Sequence, residues 1–497
     1  MITIFIAYLA ITMGIAWWYS RGSKTHEGFV LGGKKFSGTA LALSERATGE
    51  SAWLLLGLTG YAYSDGLSAI WVALGCVTGI IFIWFVMAGR LRAETERSGS
   101  MTVSSLIAKK IPGSERSIAM LSAMIVVFFF VFYIAAQFSG SGKVLNKTFG
   151  LDPFWGIIIS SVVVTVYCVM GGFIAVVVTD VFQSILMIFT LVVFPVIAVL
   201  VAGSHDIHII QSIQAAGPQY LSLTHGLSGS AALILMMSGF SWALGYTGQP
   251  QLLTRMMAIR DQKGVQTAKW VATVWTLLAY TGAILIGLFG IAFVQGGMLG
   301  QEAIKLSKDA EKILPVMVVA LVNPLLAGVL LSGVISAMMS TASSELTVSS
   351  ASITEDMYSN FRKKQDSPKK LLHLNQGMTF VVGAIAIVLA FTMQDTVYGL
   401  VSYAWSGIGS SFGPALILLL FWKRFSRAGI FASLISGTIS TVIWKNFFET
   451  PTGISERLAS FIFSLLMAVL FSLLIPEKKK NETKTNKVQI DHNYLAP

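Results

Sequence analysis

The stretch Ser44-Glu45-Arg46-Ala47-Thr48-Gly49-Glu50-Ser51-Ala52-Trp53 lies inside an apolar run that starts near Phe36 and ends near Tyr63. Gly38-Thr39-Ala40-Leu41-Ala42-Leu43 precedes it and Leu54-Leu55-Leu56-Gly57-Leu58 follows it. About 20 apolar residues on a helix suffice to cross a bilayer, so this run is long enough. Glu45, Arg46 and Glu50 therefore fall at membrane depth, where each ionisable residue costs roughly 2.5–3.5 kcal/mol on insertion scales. Such groups are carried where they pair or serve a water-filled cavity. Gly49 and the small residues beside it also permit a helix break, which leaves backbone carbonyls free to face a ligand. The stretch reads as half of a site for an ion and a small solute.

The rest of the chain is built to the same plan. Of its 497 residues, 54% are hydrophobic and 12% charged, whereas soluble domains carry about 25% charged residues. This composition predicts an all-α polytopic membrane protein embedded in a lipid bilayer. The first apolar run, Ile2 to Trp18, lacks the basic start and small-residue cleavage site of a secretory signal. Cys76 and Cys168 both sit in apolar runs and read as core residues rather than a disulfide. The net charge of +11 does not indicate nucleic acid, because the basic residues cluster at the ends of apolar runs, as membrane sidedness requires.

Thirteen spans are predicted, near residues 2–19, 37–64, 67–91, 117–142, 153–170, 178–203, 226–251, 268–295, 320–354, 372–393, 397–422, 428–447 and 457–475. Basic loops follow spans one (Arg21, Lys24, Lys34, Lys35) and three (Arg90, Arg92, Arg97, Lys109, Lys110, Arg116). Others follow spans seven (Arg255, Arg260, Lys263, Lys269), nine (Arg362, Lys363, Lys364, Lys369, Lys370), eleven (Lys423, Arg424, Arg427) and thirteen (Lys478, Lys479, Lys480). With this count all of them share one side, which is expected to be cytoplasmic. The N-terminus is then outside and the C-terminus inside, with residues 477–497 a short, polar, disordered tail. Lys143 and Lys147 are exceptions, and Lys305, Lys308 and Lys312 share a polar stretch with Glu302, Asp309 and Glu311 that reads as an external amphipathic helix.

A second interrupted span, Ser238-Gly239-Phe240-Ser241-Trp242-Ala243-Leu244-Gly245-Tyr246-Thr247-Gly248-Gln249-Pro250, lies five spans after the first. Broken helices at matching positions of two five-span halves point to a binding site at the bilayer midplane. Ordinary packing through small residues is the competing explanation, and it suffices for Gly409 and Gly413. In the ninth span, Ala337, Ser340, Thr341 and Ser344 fall at i, i+3, i+4 and i+7, on one helical face. Their oxygens could serve a hard cation such as Na+; equally, the face could be a small-residue contact stripe whose hydroxyls bond back to their own helix. Glu345, at membrane depth beside them, favours function. Arg46 and Glu50 stand at i, i+4 and could form either a structural ion pair or contacts to a zwitterion or coupling ion.

Signs of an enzyme are weak. The six histidines fall in or beside predicted loops, and there is neither an HExxH motif nor a Cys/His cluster. Leu31-Gly32-Gly33-Lys34-Lys35 lacks the spacing of a phosphate-binding loop, and Asn146-Lys147-Thr148 is a chance-level glycosylation triplet.

Several motifs together resemble the sodium/solute symporter family and, within it, the sodium/proline branch. They are Ser51-Ala52-Trp53-Leu54-Leu55-Leu56-Gly57, Ala88-Gly89-Arg90-Leu91-Arg92, Gly171-Gly172-Phe173 with Thr179-Asp180, Gly245-Tyr246-Thr247-Gly248-Gln249-Pro250, Met339-Ser340-Thr341 with Ile353-Thr354-Glu355-Asp356, and Val401-Ser402-Tyr403-Ala404-Trp405. The resemblance covers roughly residues 25 to 450. It implies a LeuT-type fold of two inverted five-helix repeats, 37–203 and 204–424. An extra N-terminal helix and loop (1–36), two C-terminal helices (425–476) and the tail (477–497) would flank them.

It also implies alternating access in a bacterial-type inner membrane, driven by Na+. The implied sodium site uses backbone oxygens near Ala47 and Glu50 with Ala337, Ser340 and Thr341. The implied substrate site uses Tyr133, Trp242, Tyr246, Gln249 and Pro250, with Ser51 and Trp53 beside them, and Arg46, Glu50 and Ser344 are candidates for coupling or gating. The small zwitterion expected is L-proline.

One departure stands out. The proline branch has an Asp where this chain has Gly49; the acid here is the next residue, Glu50, about 100° further round a helix. Glu45 and Arg46 also replace small residues nearby. The rival readings are a symporter of the same fold for another amino acid, a sugar or a carboxylate, proton-coupled through Glu50, and, from another class, a membrane enzyme or a ligand sensor. The short tail argues against sensing.

Overall fold

The computed structural model describes residues 1–20, 25–110, 113–361, 366–393 and 396–477. Fifteen helical elements carry the architecture among the described residues. The first are α1 (Ile2–Ser20), α2 (Gly38–Gly49), α3 (Trp53–Ser98), α4 (Glu115–Phe149) and α5 (Pro153–Ser204). Then come α6 (Gly229–Phe240), α7 (Trp242–Tyr246), α8 (Pro250–Met257), α9 (Gln262–Gln295) and α10 (Ile313–Leu321). The last are α11 (Pro324–Tyr358), α12 (Pro368–Thr392), α13 (Val397–Phe421), α14 (Arg427–Thr452) and α15 (Glu456–Leu474).

Eleven continuous helical stretches among the described residues are long and apolar enough to cross a bilayer. Two of them are too long for one crossing. α5 has 52 residues, about 78 Å at 1.5 Å per residue, against a hydrocarbon core of about 30 Å. It breaks at Gly172, where φ is 53° and ψ −149°. That conformation suits glycine, and a Cβ there would lie 2.7 Å from the Phe29 carbonyl oxygen. α3 joins the second half of crossing two to crossing three through a tight turn at Gly66–Ala69. Each of the thirteen expected spans corresponds to one of these segments.

Local chemistry sets the helix starts. Asp152-Pro153, Asn323-Pro324 and Ser367-Pro368 each place a capping side chain before a proline at the first helical position, and each cap accepts a backbone N–H two or three residues on. Asp261 caps α9 from the loop, and the Gly264 N–H, then Arg260, hold its carboxyl below the usual range.

Burial sorts the helices into layers. α2 and α11 lie at the centre, and every residue of α11 from Leu330 to Ser352 is buried. α5, α12 and α15 turn apolar side chains outward, with Leu200 69%, Phe380 64% and Leu466 60% exposed, as a lipid-facing surface requires.

The polar stretch 302–312 is not one amphipathic helix. It forms a short helix, Glu302–Leu306, and a turn, Ala310–Lys312, and leads into the buried apolar α10, which was not anticipated. Lys147 pairs with Glu302 at 2.5 Å and Lys143 with Glu311 at 2.6 Å. The two lysines that broke the sidedness pattern are thus neutralised. Glu311 also accepts the N–H groups of Val397 (3.1 Å) and Tyr398 (2.8 Å) at the start of α13.

Arg255 is corrected as well: expected in a cytoplasmic loop, it lies on α8 and is wholly buried. Arg21, Lys24, Arg362, Lys363, Lys364, Lys478, Lys479, Lys480 and the tail beyond Glu477 fall outside the described residues.

Candidate functional site

The first break falls where the charged stretch placed it. α2 ends at Gly49; Glu50 leaves the helix (φ −114°, ψ 63°) while its N–H still reaches the Arg46 carbonyl at 3.0 Å. The carbonyls of the last turn of a helix have no partner within it. Here side chains from other segments supply them. Ser340 Oγ donates to the Ala47 carbonyl at 2.8 Å, Thr341 Oγ1 to the Thr48 carbonyl at 2.8 Å, and the Trp53 indole to the Gly49 carbonyl at 3.2 Å. Ser340 Oγ also lies 3.1 Å from the Ala337 carbonyl, and Thr48 Oγ1 lies 2.8 Å from Ser344 Oγ. The four-residue face of α11 thus meets the last turn of α2, and Ser340 bonds both across to that turn and back to its own helix. The donor set is buried, neutral and all oxygen, the chemistry suited to a hard monovalent cation.

The three charges of the opening stretch form one buried cluster. Arg46 and Glu50 pair across i, i+4 at 2.9 Å, as expected. The larger partner is Glu45: Arg46 Nε donates to it at 2.6 Å and Nη2 to its other oxygen. The Trp84 indole donates to Glu45 at 3.0 Å, and Arg46 Nη1 reaches Thr276 Oγ1 at 3.3 Å. Glu50 Oε2 has no hydrogen-bond partner among the described residues. Two carboxylates therefore share one guanidinium, and the carboxylate of Glu50 bonds Arg46 and Thr276 rather than the hydroxyls of Ser340 and Thr341.

A second cluster was missed. Arg255 Nη2 lies 3.2 Å from Asp180 and also donates to Ser344 Oγ; its Nε donates to Ser44 Oγ at 3.2 Å and its Nη1 to the Gln251 carbonyl at 2.8 Å. Asp180 further accepts from Ser44 Oγ at 2.6 Å and Thr48 Oγ1 at 3.3 Å. The signal was available, since Asp180 is an acid within an apolar run, the same feature that singled out Glu45 and Glu50. Glu345 is buried with neither carboxylate oxygen hydrogen-bonded among the described residues.

The second break lies at Thr247–Gln249, between α7 and α8, with Pro250 at the first position of α8. It brings an aromatic group together with the first break. Trp53 stacks on Trp242 with centroids 4.4 Å apart and planes 11° from parallel. Tyr246 meets Trp405 edge-on at 4.6 Å and shares a 2.8 Å hydroxyl contact with Tyr280. Trp242 Nε1 donates to Tyr398 Oη at 3.3 Å. Gln249 Nε2 donates to the Trp405 carbonyl at 3.0 Å. Tyr133 Oη lies 3.4 Å from Ser51 Oγ.

Trp53, Trp242 and Tyr246 thus gather in one aromatic group, Gln249 touches it through Trp405, and Ser51 and Tyr133 pair beside the break. Tyr280 and Tyr398 were not foreseen, and Trp405 was noticed only as part of a motif. Gly409 and Gly413 do serve packing: a Cβ would meet Gly245 Cα at 2.6 Å and Thr247 Oγ1 at 2.4 Å.

Comparison with known proteins gives the family and the fold. Residues 29–437 match the model of the sodium:solute symporter family. The sodium/proline symporter of Escherichia coli (strain K12) is 34% identical over 477 residues, 95% of this chain and 93% of that protein. A high-affinity proline transporter of Bacillus subtilis (strain 168) is 35% identical over 462 residues, 92% of this chain and 94% of that protein. Among solved structures, a Na+-coupled sialic acid symporter in its substrate-bound outward-open state superposes with a TM-score of 0.79 at 17% identity, over 96% of this chain and 98% of that one. That likeness shows the fold, which is of the LeuT type with two inverted five-helix repeats. The relatives are transporters, and enzymatic activity is set aside. With its apolar helices, its two broken spans and a family match along most of its length, this multi-pass membrane chain belongs to the sodium:solute symporter family.

Proposed function

We propose that the protein carries Na+ and L-proline inward together by alternating access across a bacterial-type plasma membrane, N-terminus outside and C-terminus in the cytoplasm. The observation that supports this most is the contact of the Ser340 and Thr341 hydroxyls with the carbonyls at the end of α2. Those hydroxyls, with the backbone oxygens of Ala47, Glu50 and Ala337, would hold Na+. The ion biases the conformational equilibrium only as far as it binds the outward-open state more tightly than the inward-open one.

Tyr133, Trp242, Tyr246, Gln249 and Pro250, with Ser51 and Trp53, would hold the substrate. Aromatic faces suit a compact apolar ring with a polar end. Arg46, Glu50 and Ser344 would couple the two sites. The repeats run over 37–203 and 204–424, after the helix and loop of 1–36 and before the helices of 425–476 and the tail of 477–497.

The test is uptake of labelled L-proline into proteoliposomes holding the purified protein, with an inward Na+ gradient, an inward proton gradient or neither. Uptake only with Na+ is expected, and it would show that an acid at position 49 is dispensable. No uptake in protein that binds Na+ by thermal shift would keep the symporter and discard L-proline.

A further inference from the structure

The start of α15 reaches across to the second broken span at three points. Ser455, which precedes the helix, donates its N–H to Ser238 Oγ at 3.2 Å, and its hydroxyl lies 3.1 Å from Ser241 Oγ. Two residues on, the Arg457 guanidinium lies over the Trp242 ring, with Cζ 4.6 Å from the centroid. Ser238, Ser241 and Trp242 lie where α6 ends and α7 begins.

Arg457 is buried and is itself held in place. Its Nη1 donates to Ser402 Oγ and lies 3.3 Å from Glu456 Oε1, which also accepts from Ser402 Oγ at 2.6 Å. A cation in the first turn of a helix opposes the helix dipole. Glu456 balances its charge, and the face of a buried indole is a second favourable neighbour for a guanidinium.

The ring under Arg457 is central to the aromatic group between the breaks. Trp242 stacks on Trp53 with centroids 4.4 Å apart, donates to Tyr398 Oη at 3.3 Å and tilts against Trp405 at 5.9 Å. Trp53 comes from α3, and Tyr398 and Trp405 come from α13; Arg457 comes from α15, outside the proposed repeats. A ring held on several sides by fixed partners is ordered before a solute arrives, so binding does not bear the cost of ordering it.

We infer that Arg457 is a positioning residue: its guanidinium fixes the Trp242 indole against Trp53, and the start of α15 thereby sets how tightly the solute is held. The inference rests on the reading of Trp242 as part of the substrate site.

The test is a double-mutant cycle on L-proline uptake by the full-length protein in proteoliposomes. Replacing Arg457 alone leaves Glu456 buried without its guanidinium, so Arg457→Met is combined with Glu456→Gln. This neutral pair is expected to raise the half-saturating L-proline concentration about fivefold, the size of one cation–π contact, with the maximal rate unchanged. Arg457→Lys keeps a cation at the ring and should stay within about twofold of the original protein. Arg457→Gln serves if the neutral pair does not fold. In a Trp242→Leu background the neutral pair should have no further effect, because the ring it acts through is gone. The same fold-change in both backgrounds, or a change in maximal rate alone, would overturn the assignment. Fluorine NMR of protein labelled with 5-fluorotryptophan reads the ring directly, the Trp242 line being the one lost in Trp242→Phe. That line should shift or split in the neutral pair and hold in Arg457→Lys; a line unchanged in the neutral pair would also overturn the assignment. If the unsubstituted protein takes up no L-proline, the transport reading loses its solute, and the fluorine line alone decides whether Arg457 positions Trp242.

Discussion

Arg46 and Arg255 are both fully buried in this bundle, yet they are held in opposite ways. Arg46 is held mainly by its own segment: Glu45 beside it, Glu50 one turn on, and Thr276 from α9. Arg255 has one carboxylate, Asp180 of α5, and otherwise bonds Ser44 of α2, Ser344 of α11 and a carbonyl of its own helix. Each leaves one carboxylate oxygen without a partner among the described residues, Glu50 Oε2 and Asp180 Oδ1, but the first makes charge tolerable at a helix break. The second ties four segments, α2, α5, α8 and α11, together. Buried charge does different work depending on whether its partners are neighbours in sequence or in space.

The largest effect expected from breaking this contrast is at Arg255. Arg255→Ala leaves Asp180 charged and unpaired, which should cost about 3–5 kcal/mol and lower the thermal unfolding midpoint in detergent. Asp180→Asn in the Arg255→Ala background should recover part of that loss, and no recovery would mean that the pair is not the tie.

At the other cluster, Glu45→Gln should cost about 2–3 kcal/mol, since it weakens two charge-assisted bonds from Arg46, and Glu50→Gln should cost less. Equal losses from the two variants would show that Arg46 is shared evenly and that Glu50 carries no surplus charge. Between the clusters, Thr341→Ala removes the donor to the Thr48 carbonyl. It should raise the Na+ concentration for half-maximal uptake about fivefold, the equivalent of one hydrogen bond, with expression unchanged. A parallel fall in expression would mark Thr341 as structural. The smallest effect is expected at Gly49→Ala, within about 0.5 kcal/mol, because better helix propensity offsets contact with the Leu252 side chain at 3.2 Å. A large loss there would show that the backbone at Gly49 must move during the cycle.

Much of this was readable from the chain. Charges at membrane depth and a glycine-rich interruption located both breaks, and the i, i+3, i+4, i+7 spacing of Ala337, Ser340, Thr341 and Ser344 identified the face that meets α2. Pairings set by three-dimensional packing were not readable. Asp180 and Arg255 are 75 residues apart, and Arg255 follows Pro250 so closely that it looked like the start of a basic loop. Neighbours on a helix do not normally face each other, so the Glu45–Arg46 pair could not be anticipated from spacing; the long arginine side chain folds back to reach it. Tyr280 stayed hidden in the apolar run of α9, because a tyrosine there is as compatible with packing as with a binding site.

Glu311 has a consequence for how the protein is made. Its carboxylate satisfies the first N–H groups of α13 and is itself held by Lys143 of α4. The ribosome delivers Lys143 first, Glu311 next and Val397 86 residues after Glu311. When α13 emerges, the group that completes its N-terminus has already been synthesised. Thr396 caps the Gly399 N–H from the helix's own sequence, but the first two N–H groups are satisfied by docking onto an older segment, and the later part of the chain matures against a template that the earlier part has set in place.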